Sequence, residues 1–277
     1  MERIRGQKMS RGALLFAFNS PKYDYYQMAE YTAKRINHFL ELPVTIVTDE
    51  ASTSSSTGYK FDKVILVEPN KENTRDGVPW INKGRCKAYD LTPYEETLLL
   101  DTDYMVNSKQ LLKVFDTYVD FACHDTTAFF MHPKAAQEVL STYSYQTLWA
   151  TVIAFKKTQR AKQIFECLEM VQNNYAHYAN IHSFISAVYR NDYALTLALR
   201  IANGHTVLSG DIIPWKLLHV GKNTNVYADK DDEFNTSYTI LFDNWQRGKL
   251  RKEYITIKDT DFHAMNKDIF LELSKNG

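Results

Sequence analysis

The stretch Thr97-Leu98-Leu99-Leu100-Asp101-Thr102-Asp103 constrains the fold more than any other part of the chain. Thr97 to Leu100 have no polar alternation, which fits a strand covered on both faces, as in a parallel sheet. In an extended backbone, side chains two apart point the same way, so Asp101 and Asp103 are expected to leave the strand end together. That end, the carboxyl end, is where ligands sit in open α/β sheets. Two hard oxygen ligands there suit a divalent cation such as Mn²⁺ or Mg²⁺, itself suited to bridging a diphosphate.

The segments around this strand alternate between the two hydrophobic periods. Ala13 to Phe18 reads as a first buried strand, closed by the turn cluster Asn19-Ser20-Pro21. Tyr25, Met28, Ala29, Thr32, Ile36, Phe39 and Leu40 form a helical stripe that Pro43 stops, and Val44 to Val47 gives a second strand. Ala51 to Gly58, rich in serine and threonine, is expected to be a loop, and Val64 to Val67 a third strand. Ile81 to Leu91 reads as a helix, Leu111 to Phe115 as a short one, and Val119 to Cys123 and Thr151 to Phe155 as strands. Ile164, Phe165, Leu168 and Val171 mark a long helix, and Ala194 to Ala202 another, stopped by Gly204. His124 to Leu148 carries no clear pattern, and beyond Gly204 only short strands and a final short helix are expected. Strands alternating with helices argue for an α/β fold with a mostly parallel central sheet flanked by helices.

Composition removes several function classes. Lysine plus arginine equals aspartate plus glutamate at 33 each, so no global field draws polyanions, which argues against a dedicated nucleic-acid binder. One local exception is Trp245 with the basic run Arg247, Lys249, Arg251 and Lys252. Cys86, Cys123 and Cys167 are scattered and not in metal spacing, as expected of reduced, mostly buried thiols. Arg3, Arg5, Lys8 and Arg11 precede a short apolar stretch that runs into Asn19-Ser20-Pro21 rather than a cleavage site. No apolar run is long enough to span a membrane, and the expectation is a cytoplasmic protein. No P-loop, G-x-G-x-x-G, C-x-x-C or Ser-His-Asp order is present.

The block Ala88-Tyr89-Asp90-Leu91-Thr92-Pro93-Tyr94-Glu95-Glu96-Thr97-Leu98-Leu99-Leu100-Asp101-Thr102-Asp103 resembles the pre-strand helix, L-T-x-Y turn and D-x-D strand of glycogenin-like glycosyltransferases, matched without a gap. The resemblance implies a GT-A-like fold, a single unit over 1–277, with 12–204 as the donor-binding core and 205–277 as a capping, acceptor-side part. It also implies Mn²⁺ (or Mg²⁺) as cofactor and a nucleotide-sugar donor, a UDP-sugar by preference. By position it puts the metal on Asp101, Asp103 and His263. Donor contacts fall on Phe18, Asn19, Asp49, Arg85 with Lys83 as the neighbouring alternative, Thr102, and Lys267. The family's glycine between the histidine and lysine, and its proline-tryptophan after the lysine, are absent here. Its F-N-S-G strand entry becomes Leu148-Trp149-Ala150-Thr151, so Trp149 and Thr151 would face the sugar or acceptor. Its aspartate-glutamine pair becomes Asp192-Tyr193, with Asp192 either the catalytic aspartate or only a helix cap.

The reading at this level is a metal-dependent glycosyltransferase that moves a sugar to a hydroxyl acceptor: a glycan, a protein, or a hydroxymethylated base in DNA. Two alternatives stand beside it. One is a nucleotide-sugar-binding module of weak turnover, suggested by the missing sugar-side residues. The other is a sugar-phosphate nucleotidyltransferase, although Asn19-Ser20-Pro21-Lys22 lacks the glycine-rich phosphate loop that class carries.

Overall fold

A computed structural model describes residues 10–68, 74–75, 78–79, 81–116, 120–129, 132–136, 138–184, 188–222, 224–230, 234–246 and 249–275. Arg3, Arg5, Lys8, Val119 and Arg247 lie outside the described residues, as do the side chains of Lys83, His132 and Trp245.

The first strand, Arg11–Phe16, is five-sixths buried and carries Ala13-Leu14-Leu15-Phe16 into the core. It pairs in parallel with Val44–Thr48 on one side and with Glu96–Leu100 on the other. Lys63–Leu66 extends the sheet in parallel beyond Val44–Thr48. Trp149–Lys156 then pairs antiparallel with the central strand, and Phe121–His124 antiparallel with Trp149–Lys156. The result is a mixed α/β, mainly parallel six-stranded sheet whose order reverses direction between the first and central strands. Such a reversal opens a crevice outside the carboxyl ends of those two strands, where Ala17 and Asp101 begin.

Pleating sorts the side chains cleanly between two cores. Leu99, Leu14, Phe16, Ile153 and Phe155 face Ile164, Phe165, Leu168 and Val171 of helix Gln159–Asn173 and Leu195, Leu197 and Leu199 of helix Asn191–Ala202. Leu98, Leu100, Ala13, Leu15, Ile46, Val152 and Ala154 face Ala29, Ala33, Ile36 and Leu40 of helix Tyr25–Leu40. Each fully buried leucine or isoleucine contributes about 1.5–3 kcal/mol of transfer free energy, so the two faces hold the sheet between helices. The Asp24 carboxylate caps helix Tyr25–Leu40 by accepting from the Gln27 N–H at 2.9 Å. Glu41, in the left-handed region at φ 55°, ends it.

Besides a two-stranded ribbon, Thr74–Arg75 with Val78–Pro79, the described residues form two larger further sheets. A five-stranded one runs His132–Ala136, Thr127–Phe129, Leu217–Val220, Phe262–Ala264, Tyr104–Met105, so the chain's last strand lies between elements of widely separated sequence. A three-stranded antiparallel one, Asn225–Lys230, Thr236–Gln246 and Lys249–Ile257, places Val226, Tyr238 and Ile240 against Met28, Tyr31 and Phe270. The basic positions Lys249, Arg251 and Lys252 are exposed on its outer strand.

Several sequence expectations need correction. Ile81–Lys87 is a 3₁₀ helix continued by only one α-helical turn, Ala88–Leu91, before Pro93. Glu50–Thr53, expected as loop, forms a short helix because the Asp49 carboxylate accepts from the Ser52 N–H at 2.7 Å. The unassigned region contains Thr127–Phe129 and His132–Ala136. The region after Gly204 contains strands of 11 and 9 residues, not only short ones. The three cysteines are free, Cys86 and Cys123 buried and Cys167 half-buried, as expected. No helix among the described residues is long and apolar enough to cross a membrane.

His124, unassigned by sequence, ends the outer strand of the main sheet. Its Nδ1–H donates to the Trp215 carbonyl at 2.8 Å, and burial pushes its pKa down to about 4. A histidine whose folded pKa lies below its ordinary 6.5 leaves the unfolded chain as the better proton binder between those values. Stability therefore falls as pH drops from 6.5 toward 4, by about 3 kcal/mol from this group. Urea unfolding of the wild type and His124→Asn across that range checks this: the variant is expected to have a shallower acid limb, and equal slopes would contradict the assignment.

Candidate metal centre

The central strand ends at Leu100, and Asp101 and Thr102 turn the chain into the two-residue strand Tyr104–Met105. The Asp101 N–H is held by the Thr151 carbonyl at 3.0 Å, and the Asp101 carbonyl accepts from the Tyr104 N–H at 3.1 Å. The aspartates thus face one site around a turn, not by alternation along a strand. Tyr104–Met105 pairs antiparallel with Phe262–Ala264, setting His263 opposite Tyr104, and the Ala264 N–H donates to the Asp103 carbonyl at 3.0 Å. That pairing delivers a histidine from the far end of the chain to the D-x-D turn.

Asp101, Asp103 and His263 each present a ligand atom within 4.8 Å of the others. Two carboxylates and one imidazole form a hard-to-borderline donor set that fits Mn²⁺ well and Mg²⁺ through its oxygens. His263 Nε2 lies 3.3 Å from Asp103 Oδ1, and Lys267 Nζ lies 2.5 Å from Asp103 Oδ2. Lys267 opens the final helix, Lys267–Lys275, and its ammonium also sits 5.1 Å from the centre of the Tyr25 ring. Arg85, 4% exposed, pairs its guanidinium with Asp101 and donates to the Ala150 carbonyl at 2.8 Å.

The two carboxylates are electrostatically unequal. Burial pushes the Asp101 carboxyl upward, with the Arg85 charge opposing it. Burial would raise Asp103 too, but the Lys267 and His263 charges outweigh it and hold that carboxyl far below its usual range. Burial lowers the affinity of His263 and Lys267 for protons, yet Asp103 raises both above their ordinary values. As formal charges, Arg85 and Lys267 cancel Asp101 and Asp103.

The remaining expected residues lie around this centre in several places. Asp192 lies in the first turn of helix Asn191–Ala202, one residue inside its start, and is not the N-cap. Its Oδ1 accepts from the Ala150 N–H at 2.9 Å, and Arg190 reaches its Oδ2 at 3.2 Å. Ala150 therefore links Asp192 to Arg85 and so to Asp101. Trp149, 4% exposed, and Thr151, 3% exposed, flank Ala150 on the same strand. The Trp149 Nε1–H has no partner among the described residues. Thr102 is buried, with its carbonyl accepting from the Thr32 hydroxyl at 2.7 Å. Phe18 packs half-buried against the core. Asn19 is engaged by Ser52, Ser55 and the Tyr26 N–H, at 2.7 to 2.9 Å. Asp49 caps the short helix beside it, and Asn19 bonds to Ser52 and Ser55 of that same segment, joining the first strand end to the second. Lys83 lies on the 3₁₀ helix that carries Arg85.

Sequence reasoning missed His219. It is fully buried on Leu217–Val220, its Nδ1 is 3.0 Å from His263 Nδ1, and burial pushes its pKa down to about 2. No local signal marks it, because its neighbour is supplied by a remote strand.

No family profile matches the chain, and no curated protein matches it. Similar solved structures include the galactosyltransferase LgtC in complex with donor and acceptor sugar analogs, at 13% identity over 68% of this chain and 70% of that one, TM-score 0.45. Mouse xyloside xylosyltransferase 1 in its apo form is 11% identical over 71% and 83%, TM-score 0.46. The glycosyltransferase GlyE of Streptococcus pneumoniae TIGR4 is 12% identical over 68% and 43%, TM-score 0.42.

Proposed function

We propose that this protein is a metal-dependent glycosyltransferase of GT-A-like fold that moves a sugar from a nucleotide-diphosphate donor, a UDP-sugar, to a hydroxyl acceptor. The observation that carries the reading is the convergence of Asp101, Asp103 and His263 within 4.8 Å, flanked by Arg85 and Lys267, at the carboxyl end of the central strand. Asp101, Asp103 and His263 would hold Mn²⁺. A divalent cation there supplies charge stabilisation to the departing nucleoside diphosphate without proton transfer.

The charge balance supports a paired ligand. With the four charged side chains cancelling, a lone dication would leave the site strongly positive, whereas a dication with a diphosphate would not. Arg85 and Lys267, held on the carboxylates, are the cations available to turn toward phosphate oxygens when the carboxylates take a metal. Asp192, bonded to the Ala150 N–H, would be the catalytic aspartate, with Trp149 and Thr151 on the sugar or acceptor side. Because His263 and Lys267 come from the last part of the chain, we take 1–277 as one functional unit, with 12–204 binding donor and 205–277 closing the site. The acceptor classes to screen are glycans, proteins and hydroxymethylated DNA. Gel-shift affinity at low salt decides the last, since binding through the exposed Lys249, Arg251 and Lys252 would be salt-dependent.

The test is nucleotide release from a set of UDP-sugars with Mn²⁺ or EDTA. Mn²⁺-dependent UDP release from at least one donor, absent in Asp101→Ala, is the expected result. Release that is indifferent to EDTA and to the substitution would overturn the reading. Nucleotide binding without any release would instead make the chain a binding module.

A further inference from the structure

The parallel pairing of Leu217–Val220 with Phe262–Ala264 sets His219 directly beside His263 and on the same face. Their Nδ1 atoms are 3.0 Å apart. A hydrogen bond between two imidazole nitrogens needs one N–H and one lone pair, so the two rings cannot choose their tautomers independently. The other nitrogen of His263, Nε2, is the one that faces Asp103 Oδ1, at 3.3 Å. If that nitrogen is to ligate a cation it must offer its lone pair, which puts the His263 proton on Nδ1, aimed at His219. His219 must then accept through Nδ1 and carry its own proton on Nε2.

The rest of the environment restrains His219 in this role. Its ring is fully buried between Trp149, with ring centres 4.8 Å apart, and Phe129, at 5.4 Å. Among the described residues its Nε2 has no hydrogen-bond partner, and its polar contact there is the bond to His263. An unpartnered buried ring nitrogen is unfavourable for stability and calls for another explanation. Ligating histidines are generally oriented by an acceptor on their second nitrogen, and here that acceptor is another imidazole.

We propose that His219 is a positioning residue that fixes His263 in the tautomer and ring orientation needed to ligate a divalent cation with Asp101 and Asp103. The inference rests on the metal-site reading above. It assigns His219 no contact with donor or acceptor.

The experiment is Mn²⁺ titration, followed by the electron paramagnetic resonance of the free ion, with and without excess UDP, on wild type, His219→Leu and His219→Asn. Thermal unfolding of each without metal runs alongside. His219→Leu removes the acceptor and is expected to weaken Mn²⁺ binding about 10- to 100-fold. Its metal-free unfolding temperature should stay near wild type, because losing the unpartnered Nε2 offsets the loss of a partner for His263 Nδ1. His219→Asn places an amide oxygen near the Nδ1 position and is expected to restore most of the affinity. Wild-type affinity in His219→Leu, or equal loss in both variants, overturns the proposal while leaving the metal site standing. If the wild type binds no Mn²⁺ with or without UDP, the metal-site reading and this proposal fall together.

Discussion

Replacing Asp103 with alanine is expected to abolish divalent-cation binding and to lower donor turnover on the order of 10²–10³-fold, as loss of one preorganised electrostatic group does. The same change should destabilise the fold. Asp103 is 2% exposed and accepts Lys267 and His263 on its two oxygens, so its removal strands an ammonium and an imidazole that are mostly out of water. Breaking a buried pair by deleting one partner destabilises by about 3 kcal/mol or more. The two effects separate through Asp103→Asn, which keeps the side-chain shape and one acceptor but loses the charge. Asp103→Asn should fold better than Asp103→Ala and still show no Mn²⁺-dependent stabilisation. If Asp103→Asn responded to Mn²⁺ as the wild type does, the ligand assignment would be wrong.

The largest effect on stability alone is expected at Gly12, in the first strand. A Cβ built there lies 2.3 to 2.5 Å from three atoms of the Tyr94 ring, far inside van der Waals contact. The ring cannot easily move away: Tyr94 is 7% exposed and its hydroxyl is 2.9 Å from Thr45 Oγ1 on the neighbouring strand. Tyr94 thus lies across the first strand and bonds to the second. Gly12→Ala is expected to destabilise by about 3 kcal/mol, at the upper end of overpacking effects, which for a chain of this size lowers the unfolding midpoint by roughly 6–12 °C. In a Tyr94→Ala background the same substitution should be nearly neutral, because the atoms it meets are gone. Equal effects in both backgrounds would show that strand geometry, not the ring, excludes a side chain at Gly12.

The elements most legible in the sequence were those whose own side chains decide them. Helix Tyr25–Leu40 spans the stripe read from its apolar spacing, since a long amphipathic period and a following Pro43 leave few alternatives. The central strand was equally clear because all five of its residues are buried. Ile81–Lys87 misled because an apolar and basic segment containing Gly84 satisfies a helical pattern but gains little from α-helical propensity. The long strand Thr236–Gln246 was under-read although its signal is present: Tyr238 and Ile240 are buried alternately along it. Thr127–Phe129 was missed because three residues cannot establish a period.

The site followed the same division. Asp101 and Asp103 announce themselves because both lie in one turn after a buried strand. Arg85, His263 and Lys267 were reached only through resemblance, since their meeting depends on a 3₁₀ helix and a strand pairing that join distant segments. His219 escaped altogether. Leu217-Leu218-His219-Val220 looks like any short strand, and only its parallel partner gives the imidazole a meaning.

We propose that the site around Asp101 binds a dication and a nucleoside diphosphate together. It is tested most directly by thermal unfolding with UDP, GDP or CMP, each with Mn²⁺ or EDTA, on wild type and Asp101→Ala. A rise in the transition with UDP that needs Mn²⁺ and is absent in the variant is expected, because a ligand that binds only the folded state stabilises it by mass action. No shift with any nucleotide, or a shift with UDP that survives EDTA and the substitution, would contradict it.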